Sequence, residues 1–161
     1  MTIDQFKIKM LGHGILMILS TLIFGIGLWV NLVGGFELYP GYILEFNIPG
    51  TPEGWARAHT GPALNGMMVI ACAIALPYLR FTETKIRLLA WFVILDGWSN
   101  IIFYLFSNFS GNRALSFGNN IYGPGDIYSV IALAPAYLFG ILAVVALLMM
   151  GSNLISNKIH S

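Results

Sequence analysis

The chain has 161 residues, of which 57% are hydrophobic and 14% aromatic, while only 9% are charged. Soluble domains carry about 25% charged residues, and a mean hydropathy of +0.77 leaves too little polar surface to cover a water-soluble globule. The net charge of +1 gives no bulk attraction to nucleic acid, so the composition predicts an integral membrane protein without a nucleic-acid partner.

Four long apolar runs follow one another along the chain. The first, residues 10–33, contains no Asp, Glu, Lys or Arg, and at ~1.5 Å per residue each run can cross a ~30 Å hydrocarbon core. Backbone amides in lipid need internal partners, so we expect helices. The prediction is one all-α domain, residues 1–161, with four transmembrane helices at about residues 10–33, 58–79, 88–107 and 127–151.

The positive charges fall mostly on one side of these predicted helices. Only Arg57 and Arg113 lie on the other side, and the remaining six are Lys7, Lys9, Arg80, Lys85, Arg87 and Lys158. Because loops rich in Lys and Arg stay cytoplasmic, we expect both termini to be cytoplasmic. The helices would then form an antiparallel bundle in the lipid bilayer.

The two predicted outer links, residues 34–57 and 108–126, are long and rich in Gly, Pro, Asn and aromatic residues. Pro40, Pro49 and Pro52 argue against a regular helix through the first link, because proline lacks the backbone N–H that a helix interior uses. The aromatic side chains are typical of the lipid headgroup level.

The third run carries five polar residues on one predicted helix face. They are spaced by three and four positions and comprise Asp96, Ser99, Asn100, Tyr104 and Ser107. A charge at mid-membrane costs several kcal/mol, so this face should look into protein. Two interpretations fit it: a functional site, or a seam of interhelical hydrogen bonds that holds the bundle together.

Two histidines lie within the apolar runs. His13 is near the inner end of the first run between Gly12 and Gly14, and His59 is near the outer end of the second. A lone membrane histidine either satisfies a hydrogen bond or binds a metal. The two should lie roughly 25 Å apart along the membrane normal, which excludes one iron held by both within a subunit. An iron on His59 would keep an open position.

Asn65 follows His59 by six residues, so on a regular helix their side chains point about 120° apart. Either Pro62 bends the helix, or the pocket lies between subunits, with one chain giving His59 and its neighbour giving Asn65 and the polar face of the third run. The second alternative predicts an oligomer.

Several long strings in this chain are specific enough to indicate a family. The sequence resembles styrene oxide isomerase, a bacterial membrane enzyme, over nearly its whole length. The strings that carry the resemblance are GHGILM (12–17), WVNLVGGFE (29–37), PEGWARAHTGPALNGMM (52–68), DGWSN (96–100), FYLFSNFS (103–110), GPGD (123–126) and LAPAYLFG (133–140).

The resemblance implies a homotrimer in the bacterial cytoplasmic membrane that holds ferric heme b at its subunit interfaces. By the same resemblance, His59 is the axial iron ligand, and Asn65 and Tyr104 position an aryl epoxide opposite it. Asp96 and Asn100 are then expected to hold Tyr104 in place. The implied reaction opens styrene oxide on the Lewis-acidic iron and gives phenylacetaldehyde by a 1,2-hydride shift, without net redox change.

Two other function classes fit a small apolar protein with buried histidines. A membrane b-type cytochrome would carry electrons and would cycle between ferric and ferrous iron. A non-enzymatic transporter subunit would bind no heme. A visible absorption spectrum with and without reductant distinguishes these classes from an isomerase that works in the ferric state.

Overall fold

The computed structural model describes residues 2–156, so Lys158 lies outside the described residues. Its helices are α1 (Ile3–Val33), α2 (Pro52–Ala75), α3 (Glu83–Ser107) and α4 (Ile127–Ser156), with strands β1 (Gly35–Tyr39) and β2 (Tyr42–Glu45) and a 3-10 turn at Leu76–Tyr78. All four helices are long and apolar enough to cross a membrane. They fit a multi-pass membrane protein, as the apolar runs predicted.

Three of the helices begin earlier than the apolar runs suggest, because capping residues start them. Thr2 and Gln5 form a reciprocal capping box at the start of α1, and the Thr51 hydroxyl accepts the Gly54 N–H at 3.0 Å at the start of α2. Pro52 is the first residue of α2. The expectation that Pro52 argues against helix is therefore wrong, because the first helical position has no N–H to lose.

The first long link contains a short antiparallel hairpin that the sequence analysis did not predict. Gly34 ends α1 with φ 74°, and Gly41 turns the hairpin with φ 86°, a conformation that glycine adopts without strain. The rings of Tyr39 and Tyr42 stack across the strands at 4.9 Å. The fold is thus mostly helical with one small sheet.

The helices pack in chain order as an antiparallel row in which α1 also contacts α3. α1 packs mainly on α2, α2 also packs on α3, and α4 packs mainly on α3. Within the most apolar stretch of each helix, 39% and 44% of residues are buried in α2 and α3, against 11% and 17% in α1 and α4. The two middle helices are therefore the ones whose polar side chains are enclosed by protein in a single chain.

Close helix contact between α1 and α2 depends on two glycines. A Cβ at Gly14 would lie 2.9 Å from the Gly66 carbonyl oxygen, and one at Gly66 would lie 2.6 Å from the Gly14 oxygen. Of the two glycines beside His13, Gly14 therefore allows α2 to approach closely. A Cβ at Gly12 would meet no atom of the described chain within 4 Å.

The loop between α3 and α4 is organised by Asn112, which is fully buried. Its Oδ1 accepts hydrogen bonds from the hydroxyls of Ser110 and Ser129, both at 2.8 Å. Its Nδ2 donates to the carbonyls of Ser116 at 2.8 Å and Gly118 at 2.7 Å. This polar network ties the loop to the start of α4.

Asp126 caps α4 and joins the same loop to it. Its carboxylate accepts the backbone N–H groups of Gly111 and Ser129, each at 2.8 Å. These bonds, first that from Gly111 and then that from Ser129, lower the pKa of Asp126 to about 2, because they stabilise the charged form.

Candidate functional site

His59 lies on the side of α2 that faces α1. Its Nδ1 is 2.9 Å from the Thr21 carbonyl oxygen. Since a carbonyl only accepts, Nδ1 is the donor, and the tautomer that this bond selects has its lone pair on Nε2. The ring packs on Gly25, where a Cβ would lie 2.7 Å from Nδ1. A backbone carbonyl that fixes the tautomer in this way is typical of metal-binding histidines.

His13 lies in a different environment. The Trp98 Nε1–H donates to its Nδ1 at 3.1 Å, and the ring meets Trp91 edge-on at 5.9 Å. On α1, Thr21 and Gly25 follow His13 by eight and twelve residues, which places the His59 ring about 12–18 Å farther along the helix. The separation is smaller than the roughly 25 Å expected. The reason is that α2 begins at Pro52 and not at residue 58, so His59 lies seven residues inside the helix and not at its end. It still prevents both histidines from binding one iron within a chain.

Asn65 and Tyr104 lie on the opposite side of α2, between α2 and α3. The Tyr104 ring packs directly on Gly61, where any side chain would collide with it. Asn65 follows Gly61 by one turn and is 9% exposed, and its Nδ2 is buried without a hydrogen-bond partner. The Tyr104 hydroxyl makes no hydrogen bond within the described chain. Two donors without partners therefore lie along one seam.

α2 continues as one helix from Pro52 to Ala75 with Pro62 inside it. His59 contacts α1, and the glycine one turn before Asn65 contacts α3, so the angular separation expected from the spacing is retained. The imidazole and the two donors are on different sides of α2. Within one chain the body of α2 therefore separates the imidazole from the two donors.

The predicted link from Asp96 and Asn100 to Tyr104 is not made by a direct hydrogen bond. Asp96 Oδ1 accepts the Asn100 Nδ2 at 3.1 Å within α3, and a Cβ at Gly140 of α4 would lie 3.8 Å from that oxygen. Both residues therefore lie along α3 without touching the tyrosine hydroxyl. Their role in holding Tyr104 stays a prediction.

Within one chain, over the described residues, the hydrogen bonds of the polar residues of α3 do not build the interhelical seam that was the alternative interpretation. The Ser99 hydroxyl donates to the Leu95 carbonyl at 2.6 Å, and the Ser107 hydroxyl donates to the Tyr104 carbonyl at 3.3 Å. Both bonds stay within α3. Among the residues described, no side-chain hydrogen bond from this face reaches another helix.

Sequence reasoning missed the two glycines against which the rings of His59 and Tyr104 pack. It gave no functional role to Gly25, and none to Gly61 although Gly61 lies two residues after His59. Glycine inside a helix costs about 1 kcal/mol relative to alanine, and an isolated helical glycine therefore points to close packing. That cost was the available signal for both positions.

The donor set fits an axial heme ligand. The Thr21 contact orients the His59 ring, and Gly25 leaves the space that the ring needs. Within residues 2–156 no three His, Cys, Asp or Glu side chains come together as a metal site, so His59 is considered as a single ligand.

Two comparisons with known proteins identify the same family. The sequence profile of the family described as styrene oxide isomerase matches residues 6–155. The curated protein named Styrene-oxide isomerase from Pseudomonas fluorescens is 67% identical over 149 residues, which are 92% of this chain and 88% of that protein.

Proposed function

The chain belongs to the styrene oxide isomerase family, and on that premise we propose that it converts styrene oxide and related aryl epoxides to aryl acetaldehydes. For styrene oxide the product is phenylacetaldehyde. The proposed location is the cytoplasmic membrane of a bacterium, with both termini in the cytoplasm. An apolar, toxic epoxide partitions into that bilayer, and the four apolar helices suit such a substrate.

We further propose ferric heme b as the cofactor, with His59 as its axial ligand. The hydrogen bond from Nδ1 to the Thr21 carbonyl supports this assignment, because it fixes the ring plane and selects the tautomer whose lone pair is on Nε2. When bound, the heme supplies a Lewis acid for the epoxide oxygen.

The observation that carries the proposed reaction is the pair of unpartnered donors between α2 and α3. A buried amide N–H without a partner is costly in a resting protein, and Asn65 Nδ2 is such a group. Together with the Tyr104 hydroxyl it can hydrogen-bond the epoxide oxygen and stabilise the negative charge that develops there.

The substrate bonds then change in a fixed order. The benzylic C–O bond breaks, because the aryl ring delocalises the positive charge left on carbon. A hydride moves from the adjacent carbon to the benzylic one, and the C–O bond that remains becomes the aldehyde. No atom is gained or lost, so the chain need only bind, orient and exclude water, which would otherwise give the diol.

We propose that the complete pocket forms between copies of the chain, in a homotrimer with heme at each interface. His59 and the donors Asn65 and Tyr104 lie on opposite sides of α2, which supports this arrangement. The row of helices also leaves α1 and α4 mostly uncovered in one chain. One copy would give His59, and its neighbour would give the two donors.

Deuterium labelling tests the reaction. Styrene oxide carrying two deuterium atoms on its terminal carbon, incubated briefly with the detergent-purified protein, should give phenylacetaldehyde with one deuterium on the aldehyde carbon and one on the benzylic carbon. A hydride shift keeps both labels. A diol product, or loss of one label to water during the initial rate, would contradict the proposed step.

A further inference from the structure

A polar cavity lies at the end of the helix row where the two long links, residues 34–57 and 108–126, are found. Its volume is about 250 Å³, room for several water molecules at roughly 30 Å³ each. It is lined by Thr51, Arg57, Ser107, Asn108, Ser110, Gly111, Arg113 and Tyr122. His59, Asn65 and Tyr104 do not line it, so it is distinct from the proposed epoxide pocket.

The two charged side chains that line this cavity are both positive. Arg57 comes from the second turn of α2 and Arg113 from the loop after α3, and no acidic side chain is among the lining residues. Neither arginine forms an ion pair within residues 2–156. Glu53 lies four residues before Arg57 on the same helix, but the two are not paired.

An aromatic contact holds Arg113 in place. The Arg113 guanidinium stacks on the Tyr122 ring, 4.5 Å from its centroid, which leaves its N–H edge free. Guanidinium groups match the oxygens of phosphates, each giving two parallel N–H donors. Two unpaired guanidinium groups at one cavity therefore form a receptor for a multiply charged oxyanion.

An independent observation comes from Asn108, which lines the same cavity and is 8% exposed. Its Oδ1 accepts the Thr51 N–H at 2.9 Å, so the orientation of the amide is set and Nδ2 is the free end. Nδ2 is buried and has no hydrogen-bond partner. A buried polar group without a partner is costly, so Asn108 adds an unsatisfied donor to the lining of a cavity whose two charged side chains are cations.

We propose that this cavity binds a phosphate group, carried either by an anionic phospholipid headgroup or by free phosphate. Arg57 and Arg113 supply charged donors, and Asn108 Nδ2 supplies a neutral one. The Thr51 hydroxyl accepts the Gly54 N–H and can donate its own proton. The aromatic residues of the two long links suit the headgroup level of a membrane, where such phosphates are abundant.

The test uses the full-length holoenzyme purified in detergent without phosphate buffer. Thermal unfolding is followed by tryptophan fluorescence while inorganic phosphate is added at constant ionic strength. Parallel samples receive phosphatidylglycerol or the zwitterionic phosphatidylcholine. A ligand that binds the folded state raises the midpoint of unfolding, so we expect a rise of a few degrees with phosphatidylglycerol or with phosphate.

The two sources give different results. A rise with phosphatidylglycerol but not with inorganic phosphate identifies a lipid headgroup, and a rise with inorganic phosphate identifies the free ion. In either case Arg57→Gln and Arg113→Gln should weaken the apparent affinity by about tenfold or more, as expected for loss of a charged hydrogen bond. The matched control is Arg87→Gln at the opposite end of the row, which should respond like wild type.

Three outcomes would overturn the proposal. One is no shift with either ligand, and another is an equal shift in wild type and both cavity variants. The third is loss of heme absorbance in the cavity variants without any effect of added phosphate or lipid, which would assign the arginines to the cofactor's carboxylates. If a glutamine variant does not fold, Arg57→Lys replaces it, because it keeps the charge but loses the paired donors and should bind with intermediate affinity.

Discussion

The two sides of α2 differ in how far their polar groups are satisfied within one chain. Toward α1, His59 is bonded to the Thr21 carbonyl, and its ring packs on Gly25. Toward α3, Asn65 Nδ2 is buried without a partner, and the Tyr104 hydroxyl makes no hydrogen bond among the described residues. α2 thus has a hydrogen-bonded imidazole on one side. On the other side, its own Asn65 amide and the Tyr104 hydroxyl of α3 have no partner among the described residues.

This difference separates the two tasks that the proposed reaction needs. A metal ligand must be oriented before the metal binds, and a hydrogen bond to its second nitrogen does this. Donors that act on a substrate must instead remain available until it arrives. Variants on the two sides should therefore fail in different ways.

Removing the imidazole should have the largest effect. His59→Ala should lose the heme absorbance and all turnover, since no other side chain in the account holds the cofactor. His13→Gln is the control, because glutamine keeps an acceptor for Trp98 Nε1–H, and it should retain the heme. A visible spectrum and an epoxide assay measure both. If heme and turnover both persist in His59→Ala, His59 is not the ligand, and the proposed division of tasks between the two sides of α2 fails.

Removing a donor should leave the cofactor and slow the reaction. Tyr104→Phe or Asn65→Ala should each lower kcat by about 10²–10³, the loss typical of one donor to a developing oxyanion. The heme spectrum should stay close to that of wild type. An unchanged rate for either variant would take that residue out of the substrate side.

The two receiving glycines give a matched pair of the same substitution. Gly25→Ala places a methyl group 2.7 Å from His59 Nδ1, so it should alter the heme spectrum or lower heme content. Gly61→Ala pushes the Tyr104 ring instead, so it should lower kcat by about 10²-fold, as expected for a displacement of about 1 Å, with the spectrum retained. If both variants changed the heme spectrum, or if both changed only kcat, the proposed division between a heme side and a substrate side of α2 would be contradicted.

The smallest effect should come from a change at Asp126, which lies at the start of α4 and touches neither His59 nor the two donors. Its pKa in the folded state is about 2, below the ordinary value of about 3.9. The charged carboxylate therefore stabilises the fold fully when the pH is above about 3.9. This contribution is lost as the pH falls from about 4 to 2. Asp126→Asn should lower the unfolding midpoint at neutral pH, and the gap to wild type should narrow toward pH 2. Asp4→Asn is the control, and a gap independent of pH would contradict the linkage.

The four helices and the opposed directions of His59 and Asn65 could be predicted from the sequence, because lipid requires long apolar runs and a helix fixes angular spacing. The start of α2 at Pro52 could not be predicted from hydropathy, since capping decides it. The hairpin around Gly41 and the network around Asn112 depend on turn geometry and on contacts distant in sequence. The packing of Tyr104 on Gly61 also needed the register between two helices, which hydrophobicity does not specify.

The central claim is that one copy gives His59 while its neighbour gives Asn65 and Tyr104. Co-expression of His59→Ala and Tyr104→Phe chains, followed by isolation of mixed oligomers, tests it most directly. If the pocket is shared, each mixed trimer should contain one complete site, about a third of the wild-type number, so mixed oligomers should be far more active than either parent. Mixed oligomers no more active than the Tyr104→Phe parent would contradict the account, because they would place all three side chains in one chain's own site.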